Sequence, residues 1–532
     1  MPYRLRNCKV SDPPHASDEH QVIRALGSIA GATLASRVLG FARDIVVALA
    51  FGAGGVTDAF FVAFRIPNML RRLLGEGALS TAVVPVFTDY SVNRSREDFL
   101  TMLRAVLGAS LLVLGLATAA GIATAPWILR AIAPGFVANP AQASLALLLT
   151  RVMFPYLILV GLAALAMGAL NAHGRFFAAA LGPALLNLAM IAAVLVLARR
   201  VEPPILALAI GVVAGGAVQV AALAPSLRRC GLLVVPSRDL GHPALGRVAR
   251  LLLPAVFGLA SVQVTVFVNT LLASFLPAGS ISFLYYADRV MEFPLGVFGI
   301  ALASASLPAM SRAAAAGDTR RVGATLNFAL GLSFYVTAPA TVGLVLLRTP
   351  IVRVLFERGQ FTAADTAATA QALAWYAAGL VGFSGARIAA QAFYAVHAPS
   401  TAVKLGMLSV VVNVIAAVAL MGPLAHGGLA LASSVGAYAN FVALVWAARA
   451  RFGGLQARAL CASGGRTLVA SAALAGWCGA SLGFWPAPAG RALDAAWLTV
   501  TVLGGAAVFW IASALLRAPE RRTLMRLAPW RR

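Results

Sequence analysis

Arg37, Arg43 and Asp44 lie in one of the chain's most apolar stretches, and Asp288, Arg289 and Glu292 lie in another. An ionisable group at bilayer depth costs from about 2.5 to more than 10 kcal/mol, so it normally faces a partner or a wet cavity. A guanidinium stays charged when poorly hydrated and grips phosphate through two parallel donors. Arginines inside apolar segments therefore point to an anionic passenger, and a diphosphate suits them. At about 100° per residue, Arg37 and Asp44 share a helix face and Arg43 lies about 120° from Arg37. This compensates one face internally and leaves Arg43 to point elsewhere. Arg289 and Glu292 are spaced i,i+3, and Asp288 and Glu292 i,i+4. Arg289 has two readings, an intrahelical salt bridge or a ligand contact. A third group is Arg65, Arg71, Arg72 and Glu76, with Arg65 and Arg72 on one face and Arg72 and Glu76 an i,i+4 pair. Arg71 and Arg72 either border a cavity or mark the cytoplasmic end of a span and reach to lipid phosphates. Asp58, beside a glycine-rich turn, reads as a helix cap.

The elements that must position these groups are membrane helices. Hydrophobic residues make up 60% of the 532 positions and charged residues 11%, against roughly one quarter charged in soluble domains. Spans of about 20 apolar residues occur near 25–50, 57–90, 99–129, 143–172, 177–198, 204–227, 248–275, 281–311, 322–347, 364–396, 400–421, 427–448, 467–485 and 493–516. The expected fold is an all-α polytopic membrane protein of about 14 transmembrane helices. As a single helix the 57–90 stretch would run about 51 Å against a hydrocarbon core of roughly 30 Å. It must protrude, tilt or break, and Pro67 and Gly75 or Gly77 offer the break.

The formal charge of +24 is more informative in its placement than in its size. With the amino end in the cytoplasm, 27 lysines and arginines fall in loops and ends on that side and seven on the other. The asymmetry predicts that both termini are cytoplasmic, and the charge is read as a topology signal rather than a nucleic-acid surface. Residues 1–23 are polar and carry no secretory signal; they are expected to form an extension without fixed structure. The basic tail 518–532 is first a solvated topology anchor and second a contact to anionic lipid, at about 1 kcal/mol per cation.

An internal repeat runs through the chain. Leu34-Ala35-Ser36 returns as Leu259-Ala260-Ser261, Ala63-Phe64-Arg65 aligns with Ala287-Asp288-Arg289, Ala82-Val83-Val84-Pro85 with Ala305-Ser306-Leu307-Pro308, and Asn187 with Asn413. Four ordered matches at nearly one offset predict a duplication: 24–228 and 229–452 as two six-helix lobes of the same orientation, with the site between them. Residues 453–517 supply two further helices, which either line a groove or pad the lipid face.

Other chemistry is poorly represented. There is no P-loop, and Cys8, Cys230, Cys461 and Cys478 have no metal-ligand spacing and no paired framework. The six histidines are scattered. No cofactor is expected, and a coupling ion is left open. Almost all positive charge is arginine, which GC-rich coding explains globally; the arginines within spans need another reason.

The motifs carry a family resemblance. Ser36-Arg37-Val38-Leu39-Gly40-Phe41-Ala42-Arg43-Asp44, the run from Thr57 to Arg72, Glu76-Gly77-Ala78-Leu79-Ser80, Tyr285-Tyr286-Ala287-Asp288-Arg289-Val290-Met291-Glu292-Phe293-Pro294 and Leu355-Phe356-Glu357-Arg358-Gly359-Gln360-Phe361-Thr362 resemble the bacterial lipid II flippases called MurJ or MviN. The likeness covers about residues 24–515. It implies a member of the multidrug/oligosaccharidyl-lipid/polysaccharide exporter superfamily, acting in peptidoglycan synthesis at the bacterial inner membrane, not an enzyme. The implied passenger is lipid II, an undecaprenyl-pyrophosphate-linked precursor. Arg37, Arg43, Arg71 and Arg289 match the family's cavity arginines. Asp58 and Glu292 match acidic positions tied to activity or gating, Glu76 matches a gate-proximal acid, and Asp44, Arg72 and Asp288 are the accompanying charge-pairing groups. Lipid II, membrane lipids and cell-wall synthesis proteins are the partners this implies, around a monomer.

The expected mechanism is alternating access. The head group enters a cationic, wet cavity while the isoprenoid tail stays in lipid, driven by membrane potential or an ion gradient. The rivals are a flippase for another polyprenyl-linked oligosaccharide, a cation or drug antiporter of the same superfamily, which would favour acids in its cavity, and a non-transporting membrane scaffold.

Overall fold

In lipid a backbone amide has no water to bond, so a single chain crosses as helices that satisfy their own hydrogen bonds. The computed structural model describes residues 35–74, 78–175, 181–453, 456–484 and 490–527, and among these every regular element is helical. Six described helices are long and apolar enough to cross a membrane: Arg96–Ile132, Pro140–Ala172, Leu206–Cys230, Thr319–Leu346, Pro399–Phe452 and Arg491–Leu515. Large apolar side chains cover their outer faces. Leu116, Trp446 and Leu515 are 62%, 75% and 79% exposed, which suits lipid as the surrounding solvent.

Local sequence explains several helix starts. Ser95 and Asp98 form a capping box ahead of Arg96–Ile132, and Thr362 and Asp365 form another ahead of Ala363–Ala378. Each satisfies two backbone or side-chain donors reciprocally at the helix end. Breaks are equally local. Pro399–Phe452 is two helices meeting at Ala425, whose φ of 47° and ψ of −129° leave the helical region two residues after Pro423. This is where the apolar pattern divides 400–421 from 427–448.

The long apolar stretches are built from shorter pieces. The 57–90 stretch becomes Gly55–Leu74 and Ala78–Asn93, and the 281–311 stretch becomes Ser280–Pro294, a π-helical segment Leu295–Ile300 and Ala301–Ala315. Pro67 does not break its helix, which runs through it to Leu74; Gly75 and Gly77 lie outside the described residues. The pieces Pro140–Met153 and Tyr156–Ala172 meet at Phe154-Pro155, and Ala363–Ala378 and Leu380–Ala395 meet at Gly379. Pro155 and Gly379 are 224 residues apart. This pair of breaks therefore keeps the offset of the sequence repeat.

The chain forms two units, Met1–Ala278 and Gly279–Arg532. In the first, Phe87, Phe99, Met102, Val106, Ala163 and Leu170 make one apolar core with Leu223 and Val248. Helix Pro243–Ala273 packs there, against Ala78–Asn93 and Arg96–Ile132. The packing boundary thus falls one helix later than the repeat boundary at 228/229; duplication and side-chain contact need not divide a chain at the same place.

In the second unit, Met310, Leu326, Ala389, Phe393 and Phe452 form the main core. Helix Leu380–Ala395 comes close to the second half of Pro399–Phe452 through glycines. A methyl on Gly385 would sit 2.5 Å from the Phe441 ring, and one on Gly379 would clash with Ser434 Oγ. Small residues permit such close approach where lipid offers no hydrophobic drive between helices. Helices Ala457–Phe484 and Arg491–Leu515 dock on Thr319–Leu346 through Tyr335, Leu474, Cys478 and Phe509. Tyr335 Oη and Ser513 Oγ lie 2.7 Å apart, and the Tyr335 and Phe509 rings 5.0 Å. The final helix, Pro519–Leu527, adds Leu524 to this cluster and sets Arg521 5.2 Å from the Trp510 ring. The described part of the tail is docked rather than a free anchor.

Candidate functional site

In the first unit the charged groups sit on the helix over residues 35–51. Ser36, Gly40 and Arg43 follow the i, i+4, i+7 pattern of one helix face. Asn187, on helix Gly182–Leu197, lies against that face. Its Nδ2 donates to the Ser36 carbonyl at 3.2 Å, and its Oδ1 accepts from Arg43 Nη1 at 3.0 Å. A methyl on Gly40 would come within 3.3 Å of Asn187 Nδ2, so the glycine of the Leu39-Gly40-Phe41 run admits the amide. Arg43 also donates from Nε and Nη2 to Asp44 Oδ1, at 3.0 and 2.6 Å.

The observed pairing differs from the one read off helix spacing. Arg43, not Arg37, holds Asp44: the two residues are 6% and 1% exposed, while Arg37 is exposed. Spacing fixes where Cβ points, but an arginine stem is long enough to curl to a neighbour 100° away. Burial favours this, because two charges sharing a dry site are stable only when paired and hydrogen-bonded.

Around helix Gly55–Leu74 the groups are less concentrated. Asp58 is buried in the first turn, its backbone N–H donating to Gly54 O at 2.8 Å, and the neighbouring Thr57 hydroxyl donates to the Phe51 and Gly52 carbonyls. Asp58 lies inside the first turn, three residues past Gly55, where the helix begins, and not at the cap position read from the sequence. Arg71 is half-buried and bonds Asn68 Oδ1 from Nε and Nη2, at 3.3 and 3.2 Å. Arg72 lies on the same helix, and Glu76 falls outside the described residues.

In the second unit Arg289 donates to Glu292 Oε2 at 2.8 Å and to Tyr285 Oη at 3.3 Å, with its guanidinium carbon 5.3 Å from the Tyr285 ring. The intrahelical pair read from the i,i+3 spacing is formed. Its side chains are 30% and 43% exposed, so it contributes little to stability and stays open to competition. Glu292→Gln is expected to shift stability by less than about 1 kcal/mol, measured as a melting temperature. A larger loss would show that the pair is structural. Asp288 is half-buried beside it.

Spacing rules did not single out several neighbours of these groups. Arg387, an exposed cation on helix Leu380–Ala395, lies within electrostatic reach of Glu292. Its signal was available: a lone arginine in the 364–396 stretch. Tyr286 is fully buried and its ring meets Phe356 at 5.0 Å and Phe361 at 5.5 Å. Two of the sequence motifs are thereby clasped together, and the clasp fixes the helix that carries Asp288, Arg289 and Glu292. Asn187 had entered only as a marker of the repeat.

Apolar helices long enough to cross a membrane, with arginines set among them, define a class, the polytopic membrane protein. The fold agrees: a solved inward-facing multidrug resistance MATE family transporter of the MOP superfamily matches with TM-score 0.64 at 18% identity, over 79% of this chain and 95% of that one. A structure described as lipid II flippase MurJ in an inward closed conformation matches with TM-score 0.78 at 24% identity, over 93% and 99%. Lipid II flippase MurJ of Burkholderia cenocepacia is 37% identical over 434 residues, 81% of this chain and 84% of that protein. The family model for lipid II flippase MurJ matches residues 47–485. The chain belongs to the MurJ lipid II flippase family.

Proposed function

We propose that this protein carries lipid II from the cytoplasmic to the periplasmic leaflet of the bacterial inner membrane. Family membership supports the passenger, and one observation supports the chemistry: Arg43, in an apolar helix, is 6% exposed and is ion-paired with the adjacent Asp44. Such an arrangement is expensive unless it serves a ligand, because apolar replacements of buried ion pairs are often as stable or more so. Arg37, Arg43, Arg71 and Arg289 are the proposed diphosphate contacts. Asp44, Asp58, Arg72, Glu76, Asp288 and Glu292 are the proposed gating or charge-pairing groups.

Transport proceeds by exposing the arginines alternately to the two leaflets, without catalysis or a cofactor. The membrane potential, negative inside, favours outward movement of negative charge by about 2.3 kcal/mol per charge per 100 mV; an ion gradient is the other possible drive. Fourteen spans, cytoplasmic termini and a monomer acting beside cell-wall synthesis proteins complete the proposal. Proteoliposomes containing labelled lipid II or a cationic dye test it. Lipid II is expected to change leaflet faster than in protein-free vesicles and the dye is not. Lipid II that moves no faster than in empty vesicles overturns the reading, and dye transport would favour an antiporter.

A further inference from the structure

Resting on that reading, we infer that Asn187 is a positioning residue for Arg43, holding the guanidinium in a neutralised, sequestered state from which a diphosphate must draw it. Three observations converge on the amide. Asn187 is 7% exposed in an otherwise apolar helix, a costly place for a carboxamide unless its donors and acceptors are used. Both ends are used, and both engage the same partner helix, at Ser36 O and Arg43 Nη1. Gly40 leaves the room for it.

Asp44 and Asn187 hold different donors of the guanidinium. Asp44 takes the Nε and Nη2 edge and Asn187 takes Nη1. Bidentate phosphate binding needs two parallel donors on one edge, so an incoming diphosphate must displace one holder. Asn187 is the holder without charge, and a neutral acceptor yields to a phosphate more readily than a carboxylate does. The amide thereby fixes the direction from which Arg43 is released. The arrangement is confined to one half of the repeat: the sequence offset places Val268 opposite Arg43, although Asn413 repeats Asn187.

Two variants of the full-length protein test the inference with two readouts. Asn187→Leu keeps the branching and number of heavy atoms of the side chain but cannot accept a hydrogen bond. Modification of Arg43 by phenylglyoxal, followed by peptide mass spectrometry without lipid II, is expected to run at least about fivefold faster in Asn187→Leu than in the unchanged protein. Arg37, already exposed, serves as the unchanged control. Asn187→Asp adds a second carboxylate to Arg43 and is expected to weaken binding of labelled lipid II at least about tenfold. Moving the acid in the double variant Asp44→Asn with Asn187→Asp restores one carboxylate and one amide around Arg43, and is expected to recover most of that loss. Unchanged Arg43 reactivity in a folded Asn187→Leu protein overturns the inference. So does a double variant that binds no better than Asn187→Asp at equal melting temperature. The reactivity readout needs no substrate, so failure of the unchanged protein to move lipid II would count against the passenger and leave Asn187's role decided separately.

Discussion

Replacing Arg43 and Asp44 together, as Arg43→Gln with Asp44→Asn, is expected to lower lipid II translocation at least about a hundredfold while the folded protein stays near its normal amount. The size follows from two charge-assisted bonds to phosphate at about 1.5 kcal/mol or more each. The double change matters because of the geometry. Arg43→Gln alone withdraws the cation bonded to a carboxylate that is 1% exposed, at a cost of about 3–5 kcal/mol, and Arg43→Glu would add a second buried acid. Either single change mixes loss of fold with loss of function. The neutral pair keeps a polar amide at each position and removes both charges together, so no buried charge is left without its counter-charge. Translocation in proteoliposomes, normalised to folded protein by size-exclusion chromatography, is the measurement. A double variant working within threefold of the unchanged protein removes Arg43 from the transport path.

Tyr286→Ala is expected to destabilise the second unit by about 3–5 kcal/mol, as truncation of a fully buried aromatic does. Its ring shares edges with Phe356 and Phe361, so the loss opens a cavity that neither can fill without moving the turn between them. Tyr286→Phe keeps the ring and is expected to cost no more than about 1.5 kcal/mol. Recovery of monodisperse protein after a graded heat challenge separates the two. Equal survival of Tyr286→Ala and the unchanged protein would show that the clasp does not hold this helix. Transport should fall with stability in Tyr286→Ala, because the same helix carries Arg289 and Glu292.

Much of this was legible without coordinates. Apolar run lengths marked the helices, and the pairing of Arg289 with Glu292 followed from a spacing that a helix converts into a distance. The repeat foretold more than residue identities, since the helix breaks at Phe154-Pro155 and Gly379 keep its offset. The site was less legible where the deciding partner is remote in sequence. Arg43 and Asn187 are 144 positions apart, and no periodicity within one helix reveals such a contact. Helix spacing paired Asp44 with Arg37 because it counts Cβ directions and ignores side-chain reach. Pro67 misled in another way: a proline's missing N–H weakens a helix, but packing of Pro67 itself and of the turn before it, with Ala63 and Phe64 buried, carries Gly55–Leu74 through.

The π segment Leu295–Ile300 sits between Ser280–Pro294 and Ala301–Ala315, and a π-helical turn is in effect an α-helix with an extra residue taken up. It therefore works as an angular spacer. Each residue turns a helix by about 100°, so a chain one residue shorter there would keep its hydrogen-bond ladder and its length almost intact, yet swing Asp288, Arg289 and Glu292 round to another compass bearing relative to everything downstream. Single-residue indels in this short window would thus change what the charges face while leaving hydropathy and composition nearly as they were.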